Sequence, residues 1–380
     1  MRIAGLLLLM WSSLAVSATD SAFTMTQGQA DVPGTAVVET SWRAKVGTGA
    51  YDVIGLHRYA SREGKPRAVL LYLPGTNMNG ELAITDPDFN LWLFLAERGI
   101  AVYALDYRTH AVPNEPTPDL TFMKNWTMEA FVDDAARAFD FIRRTEDGVP
   151  VFVGGFSRGV SYAYALAGIR DAAGLVALDG SFKRYRTRAF DRAAAMKRLE
   201  DAGEYGTVLS AGRGWASRTQ MMQGAWEDPD GPATDSRFKT IGEQLSAVLY
   251  NAWGPGGLAN PVDGVSSVRI LARGMADYDR NFPAIQNLEG QSIALQDDDP
   301  ATALDDQFGK MTLPIIYFGS TNLGADSLLS GIYSASASGS RDVTINVLEN
   351  HGHLDVIFGN DVRDRVFDVT AHWMDKRLAR

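Results

Sequence analysis

The sequence predicts an α/β protein built on a mostly parallel, doubly wound sheet. Short, near-continuous apolar runs recur along the chain, as expected of parallel strands that are covered on both faces. Amphipathic helical patterns separate the runs, and this alternation favours parallel pairing through right-handed crossovers. The runs are AVLLYLPG (68–75), AVYALDY (101–107), VFVGGFS (151–157), GLVALDG (174–180), LPIIYFG (313–319) and DVTINVLEN (342–350).

The remaining elements follow from the same patterns. AVVETSWRA and YDVIGLHRYA predict a hairpin of half-buried strands ahead of the parallel ones. Helices are predicted in NLWLFLAERG, in MEAFVDDAARAFDFIRR and over residues 361–378. In the last of these, one apolar stripe would face the core. Its members are Val362, Val366, Val369 and Trp373.

One interval interrupts the alternation. Residues 181–310 contain no convincing core strand and instead carry amphipathic patterns, such as Ser236–Ala252 with Asp235 as its N-cap. We therefore expect a helical cap inserted between the sixth and seventh strands. The core would then comprise residues 35–180 and 311–380, and the polar residues 19–34 would form a flexible start.

The N-terminus has the pattern of a secretory signal peptide over residues 1–18. Arg2 precedes a short apolar run, and Val16-Ser17-Ala18 offers small residues for cleavage after Ala18. The alternative is a buried N-terminal helix. A periplasmic or secreted protein is expected, without stable membrane insertion, because no other segment approaches about 18 uninterrupted apolar residues. The chain has no Cys, so disulfides cannot stabilise it.

The charge and the motifs narrow the possible partners. The net charge of −10 argues against nucleic acid, which requires a basic surface. We find no set of residues at metal-ligand spacing and no phosphate-binding glycine loop, so neither a metal nor a cofactor is expected. The oligomeric state is left open by the sequence.

The most informative segment is Gly155-Phe156-Ser157-Arg158-Gly159, which fits G-x-S-x-G. A buried strand precedes it and a helical run follows it at once. This context predicts a tight turn that presents the Ser157 hydroxyl at the sheet edge, beside the N–H groups of the new helix. Ser157 is therefore the candidate nucleophile, and a plain structural turn is the alternative.

A serine nucleophile needs a base, and the chain has five His. His353 is favoured because it follows the last predicted strand, in a loop that can overhang Ser157. In addition, Gly352 permits a tight turn just before it. His351 is a weaker candidate in the same loop. His110 follows a strand end and could line the site. His57 and His372 are read as structural and helix-surface residues.

Taken together, these segments resemble the α/β-hydrolase family, particularly its lipase-like and esterase-like members. The order strand–LPGT, strand–GFSRG and late GHLD matches the family's layout over roughly residues 35–378, the cap excepted. The resemblance implies Ser157 as nucleophile and His353 as general base. It also implies an oxyanion hole made by the backbone N–H groups of Arg158 and Thr76.

The triad acid is where the chain departs from that family's pattern. The usual position, after the strand LPIIYFG, holds the neutral Asn322. Two carboxylates could replace it: Asp179, at the end of GLVALDG, and Asp326, four residues beyond Asn322. We favour Asp179 and keep Asp326 as the alternative.

The function expected from the sequence is an exported serine hydrolase that acts on a small ester or lipid-like substrate through an acyl-enzyme. A peptidase, thioesterase or acyltransferase of the same fold is the enzymatic alternative. A catalytically idle hydrolase fold that only binds ligands is the alternative from another class.

Overall fold

The computed structural model describes residues 23–114, 119–186, 189–209, 214–252, 265–297 and 299–378. The predicted signal peptide, residues 1–18, lies outside these ranges. Within the described part of the chain, every helix is too short or too polar to span a bilayer.

Nine strands of the described residues form the main sheet. They are β1 Thr24–Asp31, β2 Val37–Lys45, β3 Val53–Ser61, β4 Ala68–Leu73, β5 Ile100–Asp106, β6 Val151–Phe156, β7 Leu175–Leu178, β10 Ile315–Ser320 and β11 Val343–Leu348. Their order across the sheet is β1-β2-β3-β5-β4-β6-β7-β10-β11. The six strands from β5 to β11 in this order pair in parallel, whereas β1, β2 and β3 add to the edge by antiparallel pairing.

Helices cover both faces of this sheet because successive side chains of each strand point to opposite faces. The helices of these layers are α1 Leu91–Glu97, α2 Met128–Thr145, α3 Arg158–Ile169, α9 Ala325–Ser336, α10 Asp355–Phe358 and α11 Asp368–Leu378. On β4, Val69 and Leu71 join the core beneath α2 and α3, while Leu70 and Tyr72 join the core beneath α1 and α11. The doubly wound sheet and its hairpin are as the sequence predicted.

The N-terminal segment differs from its prediction. Residues 24–31, expected within a flexible start at 19–34, form strand β1, which pairs antiparallel with β2. Its side chains are almost all exposed, so the strand forms through backbone hydrogen bonds at the sheet edge and leaves no apolar alternation to detect. Residues 19–22 lie outside the described ranges.

The segment between β7 and β10 is mainly helical but contains a short β-ribbon that the sequence did not reveal. Its elements are α4 Arg192–Ala202, β8 Gly206–Val208, α5 Trp215–Glu227, α6 Ile241–Ala252, α7 Val268–Ala276, β9 Asn281–Pro283 and α8 Ala284–Ile293. The antiparallel pair β8–β9 has three residues per strand, too few for a period to show. Helix α6 starts at Ile241, later than the predicted Ser236, because Asp235 and Arg237 form a local turn instead.

Helix α8 attaches this segment to the core. The Glu289 carboxylate accepts the backbone N–H of Met128, at the first turn of α2, at 2.7 Å. Gln286 donates to the carbonyl oxygen of Trp126 at 2.9 Å and accepts from the hydroxyl of Tyr162 on α3. Polar groups of the segment thus satisfy polar groups of the core that burial would otherwise leave unpaired.

A fully buried ion pair makes a second attachment. Lys183 Nζ lies 2.5 Å from Asp305 Oδ2, and both side chains are 0% exposed. Lys183 lies shortly after β7 and Asp305 lies before β10, so the pair fixes the two ends of the segment to each other. Burial makes such charges stable only as a pair.

Candidate active site

Ser157 sits at the turn between β6 and α3 in a strained backbone conformation, with φ 55° and ψ −121°. The neighbouring glycines allow this turn. A Cβ on Gly155 would lie 2.3 Å from the carbonyl carbon of Gly159, and a Cβ on Gly159 would lie 1.9 Å from the carbonyl oxygen of Leu73. No residue with a side chain fits at either position, which is the physical reason for the glycines of the G-x-S-x-G pattern.

The loop after β4 lies directly beside Ser157. A Cβ on Gly75 would lie 3.2 Å from the Ser157 Cβ, so the loop backbone passes in contact with the serine. Thr76 follows and is half-buried on the same cavity wall as Ser157 and Arg158. Its backbone N–H is therefore close to the start of α3, where unsatisfied N–H groups carry partial positive charge.

His353 is fixed on three sides. Its Nδ1 lies 2.7 Å from Asp179 Oδ2, and its ring stacks on Phe156 with centroids 4.6 Å apart. The turn that carries it is closed by the Asp355 carboxylate, which accepts the N–H of Gly352 at 2.6 Å. A ring held in this way has little freedom to leave the cavity.

Asp179 is itself held by β10. Its Oδ1 accepts the backbone N–H of Ser320 at 2.7 Å, and its Oδ2 accepts the Ser320 hydroxyl at 2.7 Å. The Asp179 backbone has a φ of 45°, in the left-handed region. This turn at the end of β7 brings the carboxylate across to the loop that follows β11.

These residues meet in one cavity of about 460 Å³ at the carboxyl ends of the parallel strands. Its wall includes Thr76, Ser157, Arg158, Asp179 and His353. The chain reverses direction across the sheet between β4 and β6, and ligands of open α/β sheets bind in the crevice at such a point. The predicted residues are therefore gathered where a ligand would bind.

Of the two carboxylates left open by the sequence, Asp179 is the one that bonds His353. Asp326 lies in the first turn of α9 and lines the same cavity, but Nδ1 of His353 is taken by Asp179. Asn322 donates its backbone N–H to the carbonyl oxygen of His351 at 2.9 Å and so helps to shape the histidine loop.

The other histidines have different surroundings. Both ring nitrogens of His351 are engaged, by the Glu349 carbonyl oxygen at 2.8 Å and by Asp361 at 3.0 Å. His372 is exposed on α11. The structure does not bring His110 to the wall of this cavity; its Nδ1 lies 2.9 Å from Asp279.

His110 and His57 belong to a separate buried network with several carboxylates. His57 lies between Glu39, at 2.7 Å, and Asp106, at 2.9 Å. Burial acts to lower the pKa of both rings, but the carboxylate hydrogen bonds and charges outweigh it. They raise the pKa of His57 to about 10 and that of His110 to about 11. Both rings are therefore cationic at neutral pH and join β3 and β5 to Asp279.

Sequence reasoning missed the residues that support the site. Ser320, which orients Asp179, ends a strand without any motif of its own. Arg184, Arg186 and Gly290 also line the cavity, and they come from segments far from Ser157 in the chain. No group of three or more His, Asp or Glu side chains in the described ranges is arranged to hold a metal ion.

Comparison with solved structures identifies the fold of this chain. No protein-family model and no curated protein sequence matches the chain. A candidate lipase from Sulfolobus solfataricus is similar over 94% of this chain and 99% of its own, with 24% identity and a TM-score of 0.76. The chain has the α/β-hydrolase fold.

A second structure agrees with this fold. A highly thermostable carboxyl esterase from Bacillus coagulans, in complex with glycerol, matches 90% of this chain and 99% of its own, with 16% identity and a TM-score of 0.52. The predicted fold class is thus confirmed. In this fold, Ser157 occupies the sharp turn between the central strand β6 and helix α3.

Proposed function

We propose that the protein is a serine hydrolase that cleaves carboxylic esters. Ser157 would be the nucleophile, His353 the general base and then acid, and Asp179 the carboxylate that orients the ring. The observation that carries the proposal is the 2.7 Å bond between His353 and Asp179 in the cavity that also holds Ser157 on its strained turn. The lipase and the carboxyl esterase described above share the fold, which supports an ester substrate.

The hydrogen bond to Asp179 determines which nitrogen of His353 can act. A carboxylate only accepts hydrogen bonds, so the neutral ring carries its proton on Nδ1, and Nε2 is the nitrogen that can accept a proton. In the proposed reaction, Nε2 takes the Ser157 proton as Oγ attacks the ester carbonyl. The resulting imidazolium is stabilised by the Asp179 charge and later protonates the departing alkoxide.

The negative charge of the tetrahedral intermediate develops on the former carbonyl oxygen, and hydrogen-bond donors directed at that oxygen stabilise it. We propose the backbone N–H groups of Arg158 and Thr76, two residues that line the same cavity as Ser157. Arg158 starts α3, so the dipole of that helix adds to the stabilisation. Loss of one such donor typically costs about 10²–10³ in rate. Water would then hydrolyse the acyl-enzyme.

The direct test replaces Ser157 and a matched serine. Ser157→Ala should abolish hydrolysis of para-nitrophenyl butyrate and labelling by a fluorophosphonate. Ser161→Ala is the control: Ser161 lies one turn later on the same cavity wall, but its hydroxyl donates to the Ser181 carbonyl oxygen at 2.9 Å. Full hydrolysis by Ser157→Ala, or equal loss in both variants, would contradict the assignment. A panel of thioesters and amides distinguishes the alternative hydrolases.

We also propose that residues 181–310 act as a cap over the cavity. Gly290 and Ala294, at the end of α8, form part of its wall, which supports this role. Substitution of Ala294 by Leu should then change the preference among acyl chain lengths. An unchanged preference would argue that this segment does not contact the substrate.

Finally, we propose that residues 1–18 are removed on export. The support is the sequence alone: Arg2, the apolar run and the small residues before Thr19. Mass spectrometry of the protein recovered from the periplasm of a bacterial host should give a chain that begins near Thr19. Protein that keeps Met1 and stays in the cytoplasm would contradict export.

A further inference from the structure

The wall of the active-site cavity is rich in arginine, although the chain as a whole is acidic. Arg158, Arg184 and Arg186 line it together with two aspartates among the described residues, whereas the net charge of the chain is −10. Of the two aspartates, Asp179 has both oxygens occupied by Ser320 and His353. The sign of the charge on this wall is therefore opposite to that of the net charge of the chain.

Arg158 is the arginine nearest to the chemistry. It follows Ser157 directly, is half-buried and lines the same cavity. The guanidinium lies on the backbone of Gly290 in α8, where a Cβ would be 1.9 Å from Nη1. Within the described ranges, no hydrogen bond or ion pair engages this side chain. A guanidinium has only donors, so one without a carboxylate partner can donate to an anionic group of a ligand.

Arg186 extends the same wall toward solvent. Its guanidinium lies 6.0 Å from the ring centroid of Tyr185, which is itself 44% exposed, and no described carboxylate pairs with it. An anion that enters the cavity would meet Arg186 at the rim and Arg158 beside Ser157. Guanidinium groups bind carboxylates through two parallel hydrogen bonds, which gives both affinity and orientation.

We infer that the substrates are esters that carry a carboxylate group, bound by the guanidinium of Arg158 with Arg186 at the rim. This inference rests on the proposed esterase function and narrows it to a substrate class. Arg158 would have two separate roles, because its backbone N–H faces the oxyanion whereas its side chain would bind the remote carboxylate. The glycine at 290 would leave the space that this side chain occupies.

The kinetic test compares charged and neutral esters. In the first pair, para-nitrophenyl hemiglutarate carries the carboxylate on the acyl side, and para-nitrophenyl hexanoate is its neutral partner. In the second pair, para-carboxyphenyl hexanoate carries the carboxylate on the alcohol side, and phenyl hexanoate is its neutral partner. We expect kcat/KM to favour the charged ester in one of these two pairs by about tenfold to a hundredfold, as for a charged hydrogen bond. The preference should fall as salt is raised.

The variants are compared by the ratio of kcat/KM for the charged ester to kcat/KM for its neutral partner, so a change in the overall rate does not affect the result. Arg158→Met should abolish the preference and Arg158→Lys should restore part of it. Gly290→Ala should reduce it, because the new methyl group displaces the guanidinium without removing its charge. Arg62→Met is the control for long-range charge: Arg62 is exposed and pairs with Asp31. Absence of any preference, or a preference that survives Arg158→Met and Gly290→Ala, overturns the inference.

A binding measurement separates this inference from the esterase proposal. Titration calorimetry with Ser157→Ala and glutarate requires no turnover. Glutarate binding that weakens at least tenfold when Arg158→Met is added supports the carboxylate site, even if no ester were hydrolysed. If neutral esters are hydrolysed while glutarate does not bind and no charge preference exists, the esterase proposal stands and the carboxylate site is refuted.

Discussion

Replacement of Asp179 by Asn should remove most of the catalytic activity through a change of tautomer. Asp179 Oδ1 accepts a backbone N–H of Ser320, which can only donate, so the amide oxygen of Asn must take that position. The amide NH₂ then faces the Ser320 hydroxyl, which can rotate, and Nδ1 of His353. For Nδ1 of His353 to accept a hydrogen bond from this NH₂ group, the ring must carry its proton on Nε2 instead. His353 could then no longer accept the Ser157 proton.

The magnitude follows from the loss of both orientation and charge. A triad that keeps its geometry but holds the wrong tautomer loses about 10⁴ in kcat. At about 1.4 kcal/mol per tenfold change, this corresponds to about 5.5 kcal/mol of lost transition-state stabilisation. The KM should change little, because Asp179 bonds His353 and Ser320 rather than the substrate.

The assay measures kcat and KM for para-nitrophenyl butyrate, with circular dichroism as the check of folding. Asp326→Asn is the matched control, because it makes the same charge change at another carboxylate on the cavity wall. We expect it to stay within a few-fold of the parent protein. Asp179→Asn within tenfold of the parent, or a collapse of activity in Asp326→Asn instead, would refute the tautomer argument.

Three further variants test the packing and the charges described above. Gly159→Ala places a Cβ 1.9 Å from a backbone carbonyl oxygen, so the melting temperature of this variant should fall sharply. The control is Gly28→Ala, whose new Cβ has open space around it and whose melting temperature should equal that of the parent. Equal melting temperatures for the two variants would contradict this prediction. Lys183→Met leaves the carboxylate of Asp305 buried alone and should lower the free energy of unfolding in urea by about 3–5 kcal/mol. Adding Asp305→Leu should recover much of that loss, and no recovery would count against the pair. The pKa of His110 is raised to about 11, so the stability that its charge contributes should be complete below about pH 6.5 and disappear as the pH rises toward 11. The difference in urea midpoint between the parent and His110→Gln should narrow over that range, and a constant difference would show that the charge is not responsible.

The proximity of the candidate site residues was predictable because each of them lies in the turn or loop that follows a strand. The carboxyl ends of parallel strands meet at one edge, so Ser157, Asp179 and His353 had to lie near one another once their strands were recognised. The choice between Asp179 and Asp326 could not be made in this way. It depends on the left-handed turn at Asp179 and on the two hydrogen bonds from Ser320.

What the sequence could not reveal consists of contacts without a local pattern. Strand β1 pairs through its backbone while its side chains are exposed, so no apolar alternation accompanies it. The β8–β9 ribbon is too short to have a period. The contact between Arg158 and Gly290 joins residues 132 positions apart (290 − 158), and only the position of α8 on the core brings them together.

The attachment of α8 has a consequence for protein engineering. Its Glu289 accepts the N–H of Met128 at the start of α2, and its Gln286 bonds two neighbouring core groups. Removal of the whole inserted segment would therefore leave a core helix without part of its N-terminal hydrogen bonding and a buried tyrosine hydroxyl unpaired. When this segment is exchanged between proteins of this fold, α8 should therefore be kept and only the residues before it replaced. Helix α8 then has two functions in the fold, because it also supplies Gly290 to the cavity wall.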